Sequence, residues 1–165
     1  MRWRAIFLVF LVVNVVRPEL GLCNGLALDA ANHRIFLGCR GSATVKPSFA
    51  VMDADTGAIF YTAEIGAGND EVVYDAGLKR VFLANGVNAV RNVFEQVDAN
   101  TYKPSEALGT QAGVRTMAMD HTTKKVYAIT AEGSADYAKK ITTSVSPYYA
   151  NTFFDDKFYV LTYGK

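Results

Sequence analysis

Short apolar stretches alternate with polar turns along most of this chain. In the first unit the pattern predicts strands at residues 25–28, 35–39, 49–52 and 58–65. The turns between them are rich in Asp, Asn and Gly, which favour tight chain reversals. No stretch of about ten residues shows the periodicity of an amphipathic helix. The pattern therefore predicts an all-β protein of short antiparallel strands.

This strand pattern occurs three times. The turn residues Asp29, Asp75 and Asp120 lie 46 and 45 residues apart, and an aromatic residue follows each of them at the same distance. The segments 51–56 and 96–101 match at the same period. Four short strands in about 45 residues are typical of a β-propeller blade. We predict three four-stranded blades, at residues 23–67, 68–112 and 113–165.

The third unit contains a longer polar stretch. After residues 131–133, a stretch that reaches to about 156 separates the second strand from a last strand at 158–161, and we interpret the stretch as an exposed insertion. It carries two lysines and two tyrosines, at Lys139, Lys140, Tyr148 and Tyr149. These side chains suit nucleic acid through charge and stacking, and an unstructured polar loop is the alternative.

Residues 1–22 form an apolar lead segment. A short basic start precedes nine apolar residues at 5–13, which is the order of a secretory signal. The run is short for a membrane span, which needs about 20 residues. A buried strand around 11–16 that completes the sheet arrangement is the alternative. We expect a periplasmic or extracellular protein, and a membrane anchor is the less favoured reading.

Composition limits the kind of protein this is. Of 165 residues, 50% are hydrophobic and 20% are charged, so intrinsic disorder is excluded. The net charge is +1, which excludes a broad field that attracts DNA and leaves only a local patch for that purpose. Three blades are fewer than the usual four. Closure into a ring therefore needs self-association or further blades, and the chain resembles part of a longer propeller.

The two cysteines flank the first predicted hairpin. If its turn centres on Ala31, then Leu26 lies opposite Phe36 and Cys23 lies opposite Cys39. Opposed cysteines on adjacent strands can form a disulfide, which export favours. A pair of small buried thiols is the alternative.

No catalytic motif is evident. His33 and His121 lie in turns with no partner that the sequence places beside them. Asp53, Asp55 and Glu64 have the spacing of calcium-loop ligands, but a strand is predicted where the remaining ligands belong, so we interpret the segment as a hairpin turn. We therefore predict no catalytic residue, no metal site and no cofactor.

Candidate ligand-binding residues follow from position in the repeat. In a propeller, the loops entering the first strand and those after the second strand share one face. Here they carry six polar candidates: Asn24, Arg40, Asp70, Asn85, Arg115 and Glu132. The equivalent positions 24, 70 and 115 differ in charge, which suits a small polar ligand or a protein, and a solvated loop surface is the alternative.

The repeat motifs resemble those of YVTN-repeat, YncE-like β-propeller proteins. The resemblance rests on the Gly-Leu-Ala-Leu-Asp strand within 24–39, the Asp-Ala-Asp-Thr-Gly turn within 51–57, the segment 114–120 and the last strand at 158–161. It implies an exported binding or scaffold propeller without enzymatic activity. The alternative is the propeller domain of an enzyme, a lyase or quinoprotein-like oxidoreductase, whose active residues lie outside this chain.

Overall fold

The computed structural model describes residues 18–134 and 152–164, which form an all-β fold. A short 3₁₀ turn at Pro18–Leu20 precedes eleven described strands. The strands pair into three antiparallel sheets that do not close into a ring among these residues, so the predicted fold class is confirmed. No helix in the described ranges is long and apolar enough to cross a membrane.

We call the three sheets blades 1, 2 and 3. Blade 1 contains β1 (Cys23–Asp29), β2 (Arg34–Cys39), β3 (Ser48–Asp53) and β4 (Ile59–Glu64). Blade 2 contains β5 (Asn69–Asp75), β6 (Arg80–Asn85), β7 (Val90–Gln96) and β8 (Tyr102–Gly109). The described strands of blade 3 are β9 (Thr116–Asp120), β10 (Lys125–Ser134) and β11 (Thr152–Tyr163). Strands adjacent in sequence are adjacent in each sheet, so every blade is a meander.

The turn between the first two strands has the same conformation in each blade. His33, Lys79 and Lys124 occupy its last position with φ angles of 54°, 52° and 61°. This left-handed backbone reverses the chain tightly. The repeated aspartate also stabilises the turn, because the carboxylate of Asp75 accepts a hydrogen bond of 2.7 Å from the backbone N–H of Leu78.

The blades pack face to face through two apolar interfaces. The first interface, between blades 1 and 2, buries large rings, including those of Phe36, Phe49 and Phe94. The second interface, between blades 2 and 3, is formed mostly by smaller side chains such as Val93 and Val126. The first strands of the blades lie side by side, with β5 against both β1 and β9, so they form the inner edge of the array.

Two details of the predicted strands are wrong. Leu26 lies opposite Leu37 rather than Phe36, because the turn spans 30–33 and is centred half a residue later than expected. In blade 3, β10 continues to Ser134 and β11 begins at Thr152, so part of the predicted insertion is a strand pair. The remainder, with Lys139, Lys140, Tyr148 and Tyr149, lies outside the described residues, as does the predicted closing strand at 11–16.

Candidate functional site

A β-bulge near the start of the first strand frees one side chain from the strand pairing. The register of β1 and β2 shifts around Asn24, and the register of β5 and β6 shifts around Asp70. A bulged residue is unpaired and its side chain is re-aimed. Two candidates predicted from the sequence therefore occupy the same bulge in successive blades.

Asp70 joins two arginines that come from the neighbouring blades. Arg40, from the loop after β2, and Arg115, which directly precedes β9, both form ion pairs with its carboxylate. The Nε atom of Arg40 also donates to the backbone carbonyl of Asn69 at 3.0 Å. The Asp70 and Arg40 side chains are only 14% and 17% exposed, whereas that of Arg115 is 43% exposed. The pair on the blade 1 side is thus shielded from water, and Arg115 is accessible.

Asn24 completes this group. With its amide oxygen turned towards Arg40, Asn24 accepts hydrogen bonds of 3.1 to 3.3 Å from the guanidinium. Four of the six predicted candidates therefore lie together, and we call Asn24, Arg40, Asp70 and Arg115 the mouth cluster. These four residues bring two guanidinium groups to one carboxylate, and guanidinium groups match the geometry of a carboxylate or another anionic group.

A network of asparagine side chains lies next to the mouth cluster, because the buried Asn69 directly precedes Asp70 in β5. The Nδ2 atom of Asn69 donates to Oδ1 of Asn85 at 3.0 Å, and Nδ2 of Asn85 donates to Oδ1 of Asn92 at 2.9 Å. Asn69 also fills the space left by Gly25 and Gly38 of blade 1, where a Cβ atom would collide with its side chain. Asn85 was predicted to lie in a loop at the ligand face. It is instead the buried last residue of β6, and its side chain holds Asn69 of β5 in place.

Glu132 does not join the mouth cluster through any described contact. It lies in β10, and its carboxylate accepts a hydrogen bond of 3.1 Å from the hydroxyl of Tyr159 on β11. This contact lies within blade 3 and bridges its two longest strands. Glu132 thus lies at the register shift between β10 and β11, and its described contact is within blade 3.

Cys23 and Cys39 form a disulfide next to the cluster. Regular pairing from the hairpin turn would place Cys39 opposite Asn24, and the bulge moves Asn24 aside so that Cys23 takes its place. A turn centred on Ala31 also places Cys23 opposite Cys39, but in the structure the bulge produces this pairing. Asn24 and Arg40 directly follow the two cysteines in the chain, so the crosslink fixes the backbone from which both cluster residues extend.

A second set of polar contacts, which sequence reasoning missed, joins the blades at the opposite ends of the first strands. Asp75 of blade 2 accepts hydrogen bonds from Nδ1 of His121 at 2.7 Å and from Nζ of Lys124 at 2.9 Å, both in blade 3. Burial opposes ionisation of Asp75, but hydrogen bonds from His121, Lys124 and the Leu78 backbone outweigh it and lower its pKa to about 2.

Asp29 has the equivalent role between blades 1 and 2, with uncharged donors. Its Oδ2 atom accepts hydrogen bonds of 2.8 Å from Nε2 of Gln96 and 3.4 Å from the hydroxyl of Tyr74. Burial acts to raise the pKa of Asp29. The hydrogen bonds from Gln96, Asn32 and Tyr74 outweigh this effect, so the pKa lies below its usual value. The sequence contains a pattern that could have predicted these contacts between blades: about one repeat after each of these two turn aspartates stands a hydrogen-bond donor, Tyr74 for Asp29 and His121 for Asp75.

The turn residues considered for catalysis and metal binding have local partners. Nδ1 of His33 lies 2.7 Å from Oδ2 of Asp55 on the exposed surface. The carboxylate of Asp53 accepts backbone hydrogen bonds within its own hairpin, and that of Glu64 accepts one from Nζ of Lys46 at 2.7 Å. Within residues 18–134 and 152–164, no three His, Cys, Asp or Glu side chains are grouped so as to hold a metal ion.

These blades define the chain as a β-propeller domain, and solved propellers support this class. The Swd1 β-propeller domain of Myceliophteria thermophila matches with a TM-score of 0.55 and 13% identity, over 69% of this chain and 38% of that one. A chain of a nidogen/laminin complex matches with a TM-score of 0.50 and 14% identity, over 67% and 40%. A putative 6-phosphogluconolactonase from Bacteroides uniformis matches with a TM-score of 0.50 and 12% identity, over 68% and 34%.

At these identities the likeness concerns the fold alone. The match spans 40% or less of the length of each of those solved chains. No protein-family model matches the sequence, and no curated protein matches it. The resemblance to YVTN-repeat, YncE-like proteins therefore stays a prediction.

Proposed function

We propose that this chain is a non-enzymatic binding propeller whose mouth cluster binds a carboxylate group of a small polar ligand or a protein. The observation that carries the proposal is the convergence of all three blades on Asp70, which holds Arg40 and Arg115 together. Arg115 is the accessible guanidinium of the group, at 43% exposed, so an incoming carboxylate would meet it first. The motifs at 24–39 and 51–57 support a YVTN, YncE-like type for the propeller.

A binding measurement tests the role of Arg115. The probe is a fluorescently labelled hexaglutamate peptide, and the readout is its anisotropy at low and moderate salt. We expect Arg115→Gln to weaken binding about tenfold or more, since one charge-assisted hydrogen-bonded pair contributes about 1.5–3 kcal/mol. The matched control is Arg80→Gln, because Arg80 also pairs with a carboxylate, that of Glu106, and is 37% exposed.

Two results would contradict this function. Equal effects of the two substitutions would show that the peptide binds through general charge rather than at the mouth cluster. Tighter binding of labelled double-stranded DNA than of the peptide, with the same dependence on Arg115, would assign the site to nucleic acid instead. Thermal unfolding of both variants separates loss of binding from loss of folding.

We also propose that the protein is exported to the periplasm or cell exterior. The Cys23–Cys39 disulfide supports this location, because disulfides persist in oxidising compartments, and the basic-then-apolar order of 1–22 supports a signal. Intact-mass analysis of the protein from the periplasmic fraction is expected to show removal of about 22 residues and a formed disulfide. Full-length protein with free thiols in the cytosolic fraction would overturn the proposal.

A further inference from the structure

Blade 3 presents an outer surface that is equivalent to surfaces buried in the other two blades. Tyr127 occupies the same repeat position as Phe36 and Phe82. Phe36 and Phe82 are 0% and 6% exposed because the next blade covers them, whereas Tyr127 is 37% exposed. The repeat therefore predicts that another blade-like surface covers Tyr127.

The neighbours of Tyr127 extend this surface across the sheet. Cross-strand partners lie on the same side of a sheet, and strand pairing places Ala118 opposite Tyr127 and Val160 opposite Ile129. Phe158 lies on the same side, next to Val160 along β11. Phe158, Val160 and Ile129 are 63%, 56% and 40% exposed. We call Ala118, Tyr127, Ile129, Phe158 and Val160 the terminal face.

Blade 1 carries the complementary surface at the other end of the array. Leu26 and Leu28 of β1 are 37% and 40% exposed. Their equivalents one repeat later are Val72 and Tyr74 of β5, the strand that packs on β1 and β2 to form the first interface. The exposed leucines thus stand where a blade contacts the one before it.

The repeated turn aspartate supports the same docking independently. Asp29 and Asp75 each accept hydrogen bonds from the following blade. The third aspartate, Asp120, has described hydrogen bonds only to Thr122 and Thr123 of its own turn. In blade 1, His33 occupies the position that Lys124 has in blade 3, and its side chain is 49% exposed.

We propose that a second copy of this chain docks head to tail, with β1 of one copy on the terminal face of the other and His33 near Asp120. Two copies of the three described blades supply six blades, and rings of roughly four to eight blades are known. The contact is heterologous, so each copy uses both ends and the pair closes into a ring. This inference is independent of the proposed binding function, because it uses no residue of the mouth cluster.

Sedimentation velocity of the full chain tests the inference. We expect the wild type to sediment as a dimer at tens of micromolar and to dissociate on dilution. Leu28→Glu and Ile129→Glu introduce a charge at opposite ends of the array, at two sites that are both 40% exposed. Each is expected to weaken association by about tenfold or more. Val97→Glu is the matched control, because Val97 is 46% exposed and lies in a hairpin turn outside both surfaces.

Mixing the two variants gives the decisive result. The Leu28→Glu copy keeps an intact terminal face and the Ile129→Glu copy keeps an intact β1, so the mixture is expected to regain one contact and form an open dimer. A mixture that stays monomeric would overturn the head-to-tail arrangement. A wild type that stays monomeric at 100 micromolar would overturn the second copy as the occupant. Circular dichroism checks folding, and the milder pair Leu28→Ser and Ile129→Ser replaces any variant that fails to fold.

Discussion

Both interfaces hold neighbouring blades together, but they do so with different side chains. The first interface stacks aromatic rings closely, with the centroids of Phe49 and Phe94 4.6 Å apart and those of Phe36 and Tyr74 4.8 Å apart. The second interface has smaller apolar groups, and the guanidinium of Arg91 lies over the ring of Tyr163 at 4.0 Å. A propeller array thus tolerates unlike contacts at successive junctions, provided that each face is covered.

The turn aspartates show the same contrast. Asp29 binds the uncharged side chains of Gln96 and Tyr74 across the first interface. Asp75 binds Lys124 and His121 across the second interface. The turn-aspartate contact of the second junction therefore depends on charged partners, and salt is expected to weaken that contact more than the equivalent contact of the first junction.

The largest expected effect is the loss of a ring from the first interface. Phe49 is 0% exposed, so Phe49→Ala leaves a cavity and is expected to cost about 3–5 kcal/mol of unfolding free energy. Val126→Ala in the second interface removes fewer buried carbons and is expected to cost about 1–2 kcal/mol. Urea unfolding followed by fluorescence measures both. Equal losses would show that the two junctions do not differ in packing.

Reduction of the disulfide is expected to have the next largest effect. The bond closes a loop between cysteines 16 residues apart, which corresponds to about 3 kcal/mol of stabilisation in the chain-entropy model. Because the bond lies in blade 1, reduction is expected to accelerate hydrogen exchange in β1 and β2 more than in β9 and β10. A uniform acceleration across the three blades would contradict this local effect.

Acid tests the charged junction. The pKa of Asp75 is lowered from 3.8 to about 2 in the folded chain, so its ionised form stabilises the fold above about pH 4. That stabilisation, on the order of 2 kcal/mol, is lost as the pH falls from about 4 towards 2.

Asp75→Asn provides the control for the acid effect. The variant is expected to have a lower free energy of unfolding than the wild type at pH 7. At pH 2 the two proteins are expected to differ much less. Asp29→Asn is the matched substitution at the first junction. In a separate measurement, added salt is expected to lower the free energy of unfolding of the wild type, because it screens the Asp75–Lys124 pair. An equal salt response in the Asp75→Asn variant would show that the pair does not carry the effect.

The smallest expected effect concerns Arg91. This side chain is 5% exposed, and its Nε and Nη1 atoms have no hydrogen-bond partner among the described residues. Burial lowers the pKa of Arg91. Arg91→Met keeps the apolar volume and removes a buried charge, so stability is expected to change by less than about 1 kcal/mol or to rise. A loss above 2 kcal/mol in thermal unfolding would show that stacking on Tyr163 dominates.

The sequence predicted the fold well because local signals repeat. Turn aspartates and alternating apolar residues recur at 45 to 46 residues, and they located most of the strands. The register of the first hairpin was wrong by one residue, because its turn is centred half a residue later than expected, and the bulge at Asn24, which restores the Cys23–Cys39 pair, has no clear sequence signal. Composition alone also did not distinguish the extended hairpin of blade 3 from an insertion.

The repeat spacing predicted which candidate residues lie close together, but it did not predict how neighbouring blades pack. Positions 24, 70 and 115 are equivalent, so their proximity follows from stacking of the blades. The burial of Asn85 does not follow from its place after a strand, because it depends on the glycines that admit Asn69 from the next blade. The contacts between blades at Asp29 and Asp75 also depend on how neighbouring sheets are stacked.

The bulge at the start of the first strand releases one position in blades 1 and 2 from the requirements of strand pairing. Asn24 and Asp70 stand outside the strand pairing, so their side chains are not needed to set the register of their sheets. Asn24 is exposed and the equivalent Arg115 is 43% exposed, so these two positions can vary, whereas Asp70 is kept because it pairs with the shielded Arg40. A library that varies only codons 24 and 115 therefore tests how far the mouth cluster can change on an unchanged scaffold.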